Sequence, residues 1–251
     1  MQQFFVQEDQ IGNGFITITG ADVRRIKKEL KLKAGEKICV STVEGQDYCC
    51  EIAMISDNFV QAQILDEEVP KAEVPTDIYL FQALPKDDRM EYVVQKAAEL
   101  GVYEVIPVVM KNCVGKIDER KIEKKRTKWQ VLADSAAEEA QRSFFPHVHR
   151  LMSFEEALAY AKEYCDIRLV PYEEARNMKK TVKTLEKVQP GRSLGILIGP
   201  EGGFAEDEID AARACMDVIS LGQQVLCTDT AAVCALYLVK LELEKRSRSE
   251  R

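Results

Sequence analysis

From about residue 77 onward, short apolar segments alternate with helical segments, and this alternation is the strongest constraint on the fold. The segments "DIYLFQAL", "YEVIPVVM", "DIRLVPY", "GILIGP" and "DVISLG" have the apolar, β-branched composition of buried strands. Segments with the spacing of apolar residues that is typical of helices follow these strands, at residues 86–101, 119–142, 205–215 and 230–246. Strands that alternate with helices form a mostly parallel sheet covered on both faces. The sequence therefore predicts an α/β domain.

Residues 1 to about 67 have a different, β-rich pattern. The runs "GFITIT", "EKICVSTV", "DYCCEIAMI" and "NFVQAQIL" are separated by turn signals such as Asn13-Gly14. One helix is expected near Ala21 to Leu30. This pattern predicts a small β-barrel. The polar segment "DEEVPKAEVPTD", with two prolines, then predicts a domain boundary near residue 70, between domains at 1–70 and 71–251.

The charge distribution allows nucleic acid binding only at local patches. A net charge of −7 does not indicate a general polyanion binder, but residues 24–37 and 111–128 are basic. A single charge run is usually a solvated helix face. Two runs, one of them on the β-domain, favour contacts to RNA phosphates. The candidate RNA-binding residues are Arg24, Arg25, Lys28, Lys31, Lys116 and Lys125.

Other features of the composition favour a cytoplasmic protein without a metal or a membrane anchor. The eight cysteines form no C-x-x-C pair, and their scatter fits a reducing compartment. The first residues lack the pattern of a signal peptide, and the longest apolar run, 231–239, is too short to span a bilayer. His147 and His149 can share a strand face, but two ligands do not make a metal site, so we expect both to be exposed to solvent.

The segment "LGILIGPEGGFAEDEID", from Leu194 to Asp210, joins a strand to a helix through a glycine-rich loop. Gly199, Gly202 and Gly203 let the backbone approach a ligand closely, and open α/β sheets bind ligands beyond the carboxyl ends of their strands. The glycine spacing matches neither a P-loop nor G-x-G-x-x-G. Three acidic residues in the first helical turn would repel a pyrophosphate. The loop therefore suits a neutral or cationic ligand, such as the sulfonium of S-adenosylmethionine, better than a pyrophosphate. A plain tight turn with a well-capped helix remains open.

A second loop, "SLGQQVLCTDTAA" at residues 220–232, also lies between a strand and a helix. Leu221-Gly222 is a turn signal, and Thr228 to Thr230 supplies candidate N-caps. The helix that follows, "AAVCALYLVKL", is apolar on nearly every face and must be buried. An ordinary core position and a subunit interface both remain open for it.

The pair of loops "IGPEGGF…LGQQVLCTDTAA" resembles the SPOUT (trefoil-knot) methyltransferases, and within them the RsmE family, which methylates N3 of a uridine in 16S ribosomal RNA. "FQALPKDDRMEYVVQKAAELGVYEVIPVV" and "KWQVLADSAAEEAQRSFFPHV" are similar to further segments of that family, and the N-terminal β segment resembles its PUA-like RNA-binding domain. The resemblance implies a SPOUT α/β domain with a parallel sheet and a C-terminal knot. It also implies a homodimer, S-adenosylmethionine as methyl donor without a metal, and 16S rRNA within the small subunit as partner.

The resemblance further implies that three knot loops form the cofactor pocket. The first follows the strand "IRLVPY", near Pro171 to Glu173, the second is Ile198 to Gly203, and the third runs from Leu221 to Thr230. Backbone groups would hold the adenine and the methionine part. The implied cofactor-binding residues are Pro171, Leu197, Ile198, Gly199, Pro200, Glu201, Gly202, Gly203, Leu221, Gly222, Val225, Leu226 and Thr230.

The chain departs from the family pattern at several positions. Cys227 stands where the family usually has an Arg, so a guanidinium with five N–H donors is lost there. Asp229 stands in place of a Glu. Glu139 replaces a Gln in the long helix, and the family's usual His-His run in the first domain appears here as Arg24-Arg25. These departures concern the RNA site more than the cofactor site.

Methyl transfer from a sulfonium is a one-step displacement, so the placement of the two reactants dominates its rate. N3 of uridine must also lose its proton, which a base or a cation near the N3 anion would assist. The candidates are Arg142, which the family resemblance places at the active site, and Glu201 in the cofactor loop. Arg142 could instead stabilise the end of a helix, and Glu201 could only brace the loop.

Three functions fit these observations. The first is an S-adenosylmethionine-dependent methyltransferase that acts on N3 of a specific uridine in 16S rRNA. The second is a SPOUT methyltransferase with another RNA position as its target. The third is a non-catalytic RNA-binding or ribosome-assembly factor, which the intact glycines of both loops disfavour but which Cys227 and the altered N-terminal run keep open.

Overall fold

A computed structural model of the protein describes residues 2–42, 46–66, 76–113 and 119–249. The chain forms two compact units. The first comprises Met1–Glu73 together with Gln141–Phe144, and the second comprises Val74–Ala140 together with Phe145–Arg251. The expected domain boundary near residue 70 lies outside the described residues.

The first unit is a curled six-stranded sheet around a small core. Its strands are β1 (Gln2–Val6), β2 (Ile11–Gly12), β3 (Phe15–Thr19), β4 (Lys37–Thr42), β5 (Asp47–Ile55) and β6 (Phe59–Asp66). Their order in the sheet is β1-β4-β5-β6-β3-β2, with β1 parallel to β4 and the other pairs antiparallel. The inward side chains form one apolar cluster, which includes Phe4, Ile16, Ile38, Ile52 and Val60. The predicted small β-domain is confirmed.

The helix expected near Ala21 to Leu30 is present in two parts. The short α1 (Ala21–Arg24) continues into a π-helical turn at Arg25–Glu29. Val23 and Ile26 are buried in the apolar cluster, whereas Arg24 and Lys28 are exposed. This separation of apolar and basic positions leaves part of the predicted basic run on the surface of the unit.

The second unit is a parallel sheet with helices on both faces. Its strands are β7 (Ile78–Ala83), β8 (Glu104–Val109), β9 (His147–Val148), β10 (Met152–Ser153), β11 (Ile167–Pro171), β12 (Leu194–Ile198) and β13 (Asp217–Ile219). Its helices are α2 (Arg89–Glu99), α3 (Glu119–Glu139), α4 (Phe154–Tyr164), α5 (Met178–Leu185), α6 (Glu206–Arg213) and α7 (Thr228–Ser249). The sheet order is β10-β8-β7-β12-β11-β13, with β9 beside β8, and every pair is parallel. This is the α/β architecture that the alternation of strands and helices predicts.

Two apolar clusters cover the two faces of this sheet. One includes Trp129 of α3 and Leu236 of α7, and the other includes Phe154 of α4 and Ile209 of α6. Strand residues alternate between the clusters because successive side chains point to opposite faces. Ile198 therefore joins the first cluster and Leu197 the second.

Two helices and one helix end differ from the sequence prediction. Helices α4 and α5 were not predicted from the sequence, and α3 ends at Glu139 rather than at Arg142. The α3 helix stops because Gln141 takes a left-handed conformation with φ of 56°. In the described part of the chain, no helix is both long and apolar enough to cross a membrane.

Candidate cofactor site

A cavity of about 260 Å³ lies at the carboxyl ends of three neighbouring strands, β11, β12 and β13. The loop after each strand contributes to its wall, as expected for a ligand site of an open α/β sheet. Its lining consists of Pro171, Tyr172, Glu173, Ile198, Gly199, Pro200, Glu201, Gly203, Phe204, Leu221, Gly222, Gln224, Val225, Leu226, Cys227, Thr228 and Ala231. The structure thus brings together the three loops that the family resemblance implies, although binding by the individual residues stays a prediction.

Three residues predicted for the cofactor site do not line the cavity. Leu197 is buried on the opposite face of the sheet, since side chains alternate along β12. Gly202 faces Asn112, and Thr230 is exposed on the first turn of α7. Any contact of Leu197 or Gly202 with a ligand in this cavity would therefore come from the main chain.

The glycines of the loop after β12 are required by close neighbours. A Cβ on Gly199 would lie 2.7 Å from Cε2 of Phe204, and one on Gly202 would lie 2.9 Å from the carbonyl oxygen of Asn112. Gly203 has φ of +73°, and its Cβ would lie 2.8 Å from Oε1 of Glu173. Larger residues would have to displace neighbouring atoms, and Gly203 would also be strained. The glycine pattern follows from the shape of the loop.

The end of β8 supports this loop from below. Asn112 Nδ2 donates to the carbonyl of Gly203 at 3.1 Å, and the amide of Lys111 donates to Oε1 of Glu208 at 2.9 Å. The other carboxylate oxygen of Glu208 accepts the amide of Ala205 at 3.1 Å. Glu208 is only 3% exposed, so it bridges two backbone segments in the interior. From the sequence, Glu208 was expected only in the acidic first turn of α6, and this contact was not predicted.

The charged side chains on the cavity wall are acidic. Glu173 and Glu201 line it, and among the described lining residues there is no Lys or Arg. Oε1 of Glu201 accepts the amide of Lys86 at 2.9 Å, so this residue braces the loop after β7. A catalytic role for Glu201 stays a prediction. Two carboxylates in a largely apolar cavity favour a ligand that carries positive charge.

Aromatic residues close one side of the cavity. The rings of Tyr172 and Phe204 meet edge to face with their centroids 6.3 Å apart. The guanidinium of Arg213 lies 5.1 Å from the ring centroid of Tyr172, although Arg213 itself does not line the cavity. Burial and the nearby Glu174 raise the pKa of Tyr172. The predicted first loop, Pro171 to Glu173, includes Tyr172, but Phe204 was not among the predicted site residues, since only the folded loops bring it to the cavity.

The loop after β13 enters α7 at the cavity. The carbonyl of Cys227 accepts the amide of Ala231 at 2.8 Å, which starts the helix. The side chain of Cys227 is exposed and lies at the rim of the cavity. Asp229 lies 3.9 Å from Arg89, and its carboxylate accepts the amide of Thr230 at 3.0 Å. Asp229 therefore helps to anchor the start of α7.

Arg142 belongs to the first compact unit, whereas the cavity belongs to the second. Its side chain is buried, with the guanidinium 6.0 Å from the ring centroid of Phe144. Its carbonyl accepts Nε2 of Gln3 at 3.0 Å. The alternative role at the end of a helix is wrong, since α3 ends before this residue. The catalytic role stays a prediction.

Three of the predicted RNA-binding residues lie on α1 and its π-helical extension. Arg24 and Lys28 are exposed and line a shallow depression of about 400 Å³ together with Lys27. Lys27 is bound to Asp57 at 2.7 Å, which offsets part of its charge. Arg25 lies 5.8 Å from the ring centroid of Phe4, so its side chain packs on the sheet.

The other predicted RNA-binding residues are more scattered. Lys31 is exposed, with φ of 54°, beyond the π-helical turn. Lys125 of α3 lies 3.4 Å from Asp88, so it is partly neutralised. Lys116 lies outside the described residues. The basic run at 24–37 is therefore the stronger candidate for a contact with phosphates.

The two histidines lie on one side of β9, with ring centroids 6.0 Å apart. His147 is exposed, and its Nδ1 lies 2.7 Å from Oε1 of the buried Glu104. His149 is half-buried, with its ring centroid 5.4 Å from that of Tyr160, so the expectation that it is exposed is wrong. Across the described residues, no group of three or more His, Cys, Asp or Glu could hold a metal ion.

Comparison with known proteins identifies the class to which this fold belongs. The sequence model of the RNA methyltransferase domain matches residues 72–240. A putative methyltransferase of Legionella pneumophila, solved in complex with SAM, has 26% sequence identity and a TM-score of 0.73, with 95% of this chain and 96% of that chain covered. The ribosomal RNA small subunit methyltransferase E of Neisseria gonorrhoeae, solved with S-adenosyl methionine, has the same fold at 24% identity, with a TM-score of 0.77 over 97% of this chain and 98% of that chain.

These matches define an RNA methyltransferase with an α/β fold. A curated relative then specifies the family. The ribosomal RNA small subunit methyltransferase E of Bacillus subtilis is 31% identical over 254 residues, which cover 97% of this chain and 98% of the relative. The chain belongs to the ribosomal RNA small subunit methyltransferase E (RsmE) family, as its two loops predict.

Proposed function

We propose that the protein transfers a methyl group from S-adenosylmethionine to N3 of a specific uridine in 16S rRNA. The observation that carries the proposal is the acid-lined cavity at the ends of β11, β12 and β13 in a chain of this family. The same proposal places the protein in the cytoplasm, where it would act on the small ribosomal subunit.

The residues of the cavity fit this cofactor. Its walls combine apolar side chains such as Leu226 and Val225 with exposed backbone of the glycine loop, which suits an adenine and a methionine chain. Glu173 and Glu201 suit the positive charges of the sulfonium and the amino group. When it is bound, S-adenosylmethionine supplies an activated methyl group on its sulfonium.

The contribution of the protein to the reaction is mainly positioning. The glycine loop, braced by Glu208 and Asn112, fixes one wall of the cavity before the ligand arrives. A preformed wall lowers the entropic cost of bringing the two reacting atoms into line. The proton on N3 requires a base or a cation nearby, and Glu201 and Arg142 remain the candidates.

The first compact unit is the proposed RNA-binding domain. The exposed Arg24 and Lys28 on one helical face support this role, because basic side chains contact phosphates without reading sequence. The target uridine would have to be unstacked or already single-stranded for its N3 to be reached.

The protein is further proposed to act as a homodimer. Helix α7 buries one stripe of residues, including Leu236 and Val239, in its own core. Tyr237 and Leu241, four residues apart on another stripe of α7, are 54% and 43% exposed. Large apolar side chains in such a stripe support an interface between two copies of the chain.

One experiment tests the reaction, the donor and the target together. The purified protein is incubated with methyl-labelled S-adenosylmethionine and small ribosomal subunits from a strain that lacks the activity, and the digested nucleosides are identified. Label in 3-methyluridine is expected. Label in another nucleoside would contradict the N3 target and retain the methyltransferase. No label from a protein that still binds the cofactor would contradict catalysis and favour the assembly-factor alternative.

A further inference from the structure

A buried hydroxyl connects three segments, two of which line the cavity. Thr228 Oγ1 donates to the carbonyl of Gly199 at 2.6 Å, and Gln82 Nε2 donates to Thr228 Oγ1 at 2.9 Å. Gln82 is at the end of β7, Gly199 begins the glycine loop, and Thr228 begins α7. Gln82 is fully buried and Thr228 is 4% exposed, so water competes little for these bonds.

The direction of each hydrogen bond is determined by the groups involved. Carbonyl oxygens only accept, and Gln82 Nε2 also lies 2.9 Å from the carbonyl of Ala83. The amino group of Gln82 must therefore face both Ala83 and Thr228. The hydroxyl hydrogen of Thr228 must then point at Gly199. The amide oxygen of Gln82 is buried and has no hydrogen-bond partner among the described residues, which lowers the stability of the fold at this position.

We propose that Gln82 and Thr228 are positioning residues that hold the Gly199 peptide, and with it the glycine loop, against the start of α7. This inference rests on the proposed function, since the cavity whose shape it concerns is the proposed cofactor site. We call the two hydrogen bonds from Gln82 to Thr228 and from Thr228 to Gly199 the relay. The relay determines the orientation of the Gly199 carbonyl and the spacing of two of the three cavity loops. Because a preformed cavity binds more tightly than one that must be ordered, the relay strengthens cofactor binding.

The chain offers substitutions that separate the hydroxyl from the shape of the side chain. Thr228→Val keeps the β-branched volume and removes the hydroxyl, whereas Thr228→Ser keeps the hydroxyl and removes a methyl group. Gln82→Met keeps a long side chain and removes the amino group that orients the threonine. The double variant Gln82→Met/Thr228→Val tests whether the two residues act through one another.

Isothermal titration calorimetry with S-adenosylhomocysteine measures the effect on the full-length protein without catalysis. We expect Thr228→Val and Gln82→Met each to raise Kd about 5- to 10-fold, which is the loss of about one buried hydrogen bond. Thr228→Ser should stay within about twofold of the wild type. The Kd of the double variant should be no higher than the higher Kd of the two single variants. With methyl acceptor in excess, KM for S-adenosylmethionine should rise while kcat at saturation stays near the wild-type value.

Several outcomes would overturn the inference. A wild-type Kd in Thr228→Val would do so, as would an equal rise of Kd in Thr228→Val and Thr228→Ser. A Kd of the double variant that rises by the product of the two single-variant factors would do so as well. If Thr228→Val does not fold, as judged by thermal unfolding without ligand, an unchanged Kd in Gln82→Met overturns it. Failure of the wild-type protein to bind S-adenosylhomocysteine or S-adenosylmethionine would instead contradict the proposed function itself.

Discussion

The hydroxyl of Ser143 donates a hydrogen bond to the carboxylate of Asp47, although 96 residues separate them in the chain. The other carboxylate oxygen of Asp47 accepts the hydroxyl of Ser41 at 2.6 Å. Gln3 Nε2 completes the network, with bonds to Ser41 at 2.7 Å and to the carbonyl of Arg142. These buried contacts hold segment 141–144, and with it Arg142, in the first unit.

Removal of Asp47 should therefore destabilise the first unit. Asp47→Ala leaves the buried hydroxyls of Ser41 and Ser143 without an acceptor, so we expect the free energy of unfolding to fall by about 2 kcal/mol. Urea denaturation followed by circular dichroism measures the change. Asp57→Ala is the matched control, because Asp57 is exposed and makes only a surface ion pair with Lys27. Equal losses in the two variants would contradict the role of the network.

Substitution of Gly203 should impair cofactor binding more than a similar substitution elsewhere. Gly203→Ala places a Cβ 2.8 Å from Glu173 Oε1 on a backbone with φ of +73°, so the loop must shift. Gly191→Ala is the control, because Gly191 has φ of +78° but no atom within 4 Å of an added Cβ. We expect at least a tenfold higher Kd for S-adenosylhomocysteine in Gly203→Ala, a loss of about 1.4 kcal/mol, and little change in Gly191→Ala. The reverse order would show that the glycine loop does not form the binding wall.

The basic face of the first unit should determine the salt dependence of RNA binding. Arg24→Ala/Lys28→Ala removes two exposed cations, so affinity for 16S rRNA fragments should fall. The slope of log K against log salt should also decrease by roughly 1 for each phosphate contact removed. Filter binding between low and moderate salt measures both quantities. The control Lys179→Ala/Lys180→Ala removes the same charge from exposed positions of α5, and an equal effect there would contradict a local site.

The periodicity of the sequence predicted the central strands well and the contacts between loops poorly. Strands such as β5 and β12 are short apolar runs between turn signals, so local pattern suffices to find them. Helix α4 was missed although Ser153 and Glu156 form a capping box, a signal that is visible in the sequence. Glu208 and Gln82 carry no comparable signal, because their partners come from distant segments that only the folded sheet brings together. The family resemblance pointed to the three loops of the cavity because it rests on whole loop sequences rather than on local periodicity.

Stability should fall at alkaline pH because two thiols are buried. Burial raises the pKa of Cys50 to about 12 and that of Cys165 to about 12. In the unfolded chain a thiol has a pKa of about 8.5. Above that pH the unfolded state binds fewer protons than the native state, so the free energy of unfolding decreases as pH rises toward the native pKa.

Urea titrations at pH 8 and pH 10 measure this loss. We expect a smaller loss in Cys50→Ala/Cys165→Ala than in the wild type, whatever the cost of the substitutions at pH 8. Cys227→Ala is the control, since its side chain is exposed in the native state. A pH dependence that the double variant leaves unchanged would show that other groups, such as the buried Tyr79, dominate it.

Charge on the exposed stripe of α7 should separate the proposed homodimer. Tyr237→Glu/Leu241→Glu places two carboxylates where two copies of the chain would meet, and the burial of unpaired charge opposes association. Light scattering at micromolar concentration should give twice the 28.4 kDa chain mass for the wild type and the single mass for the variant. Val131→Glu is the control, because Val131 is 63% exposed on α3. A wild-type protein of 28.4 kDa would contradict the dimer, and a variant that keeps the doubled mass would place the interface elsewhere.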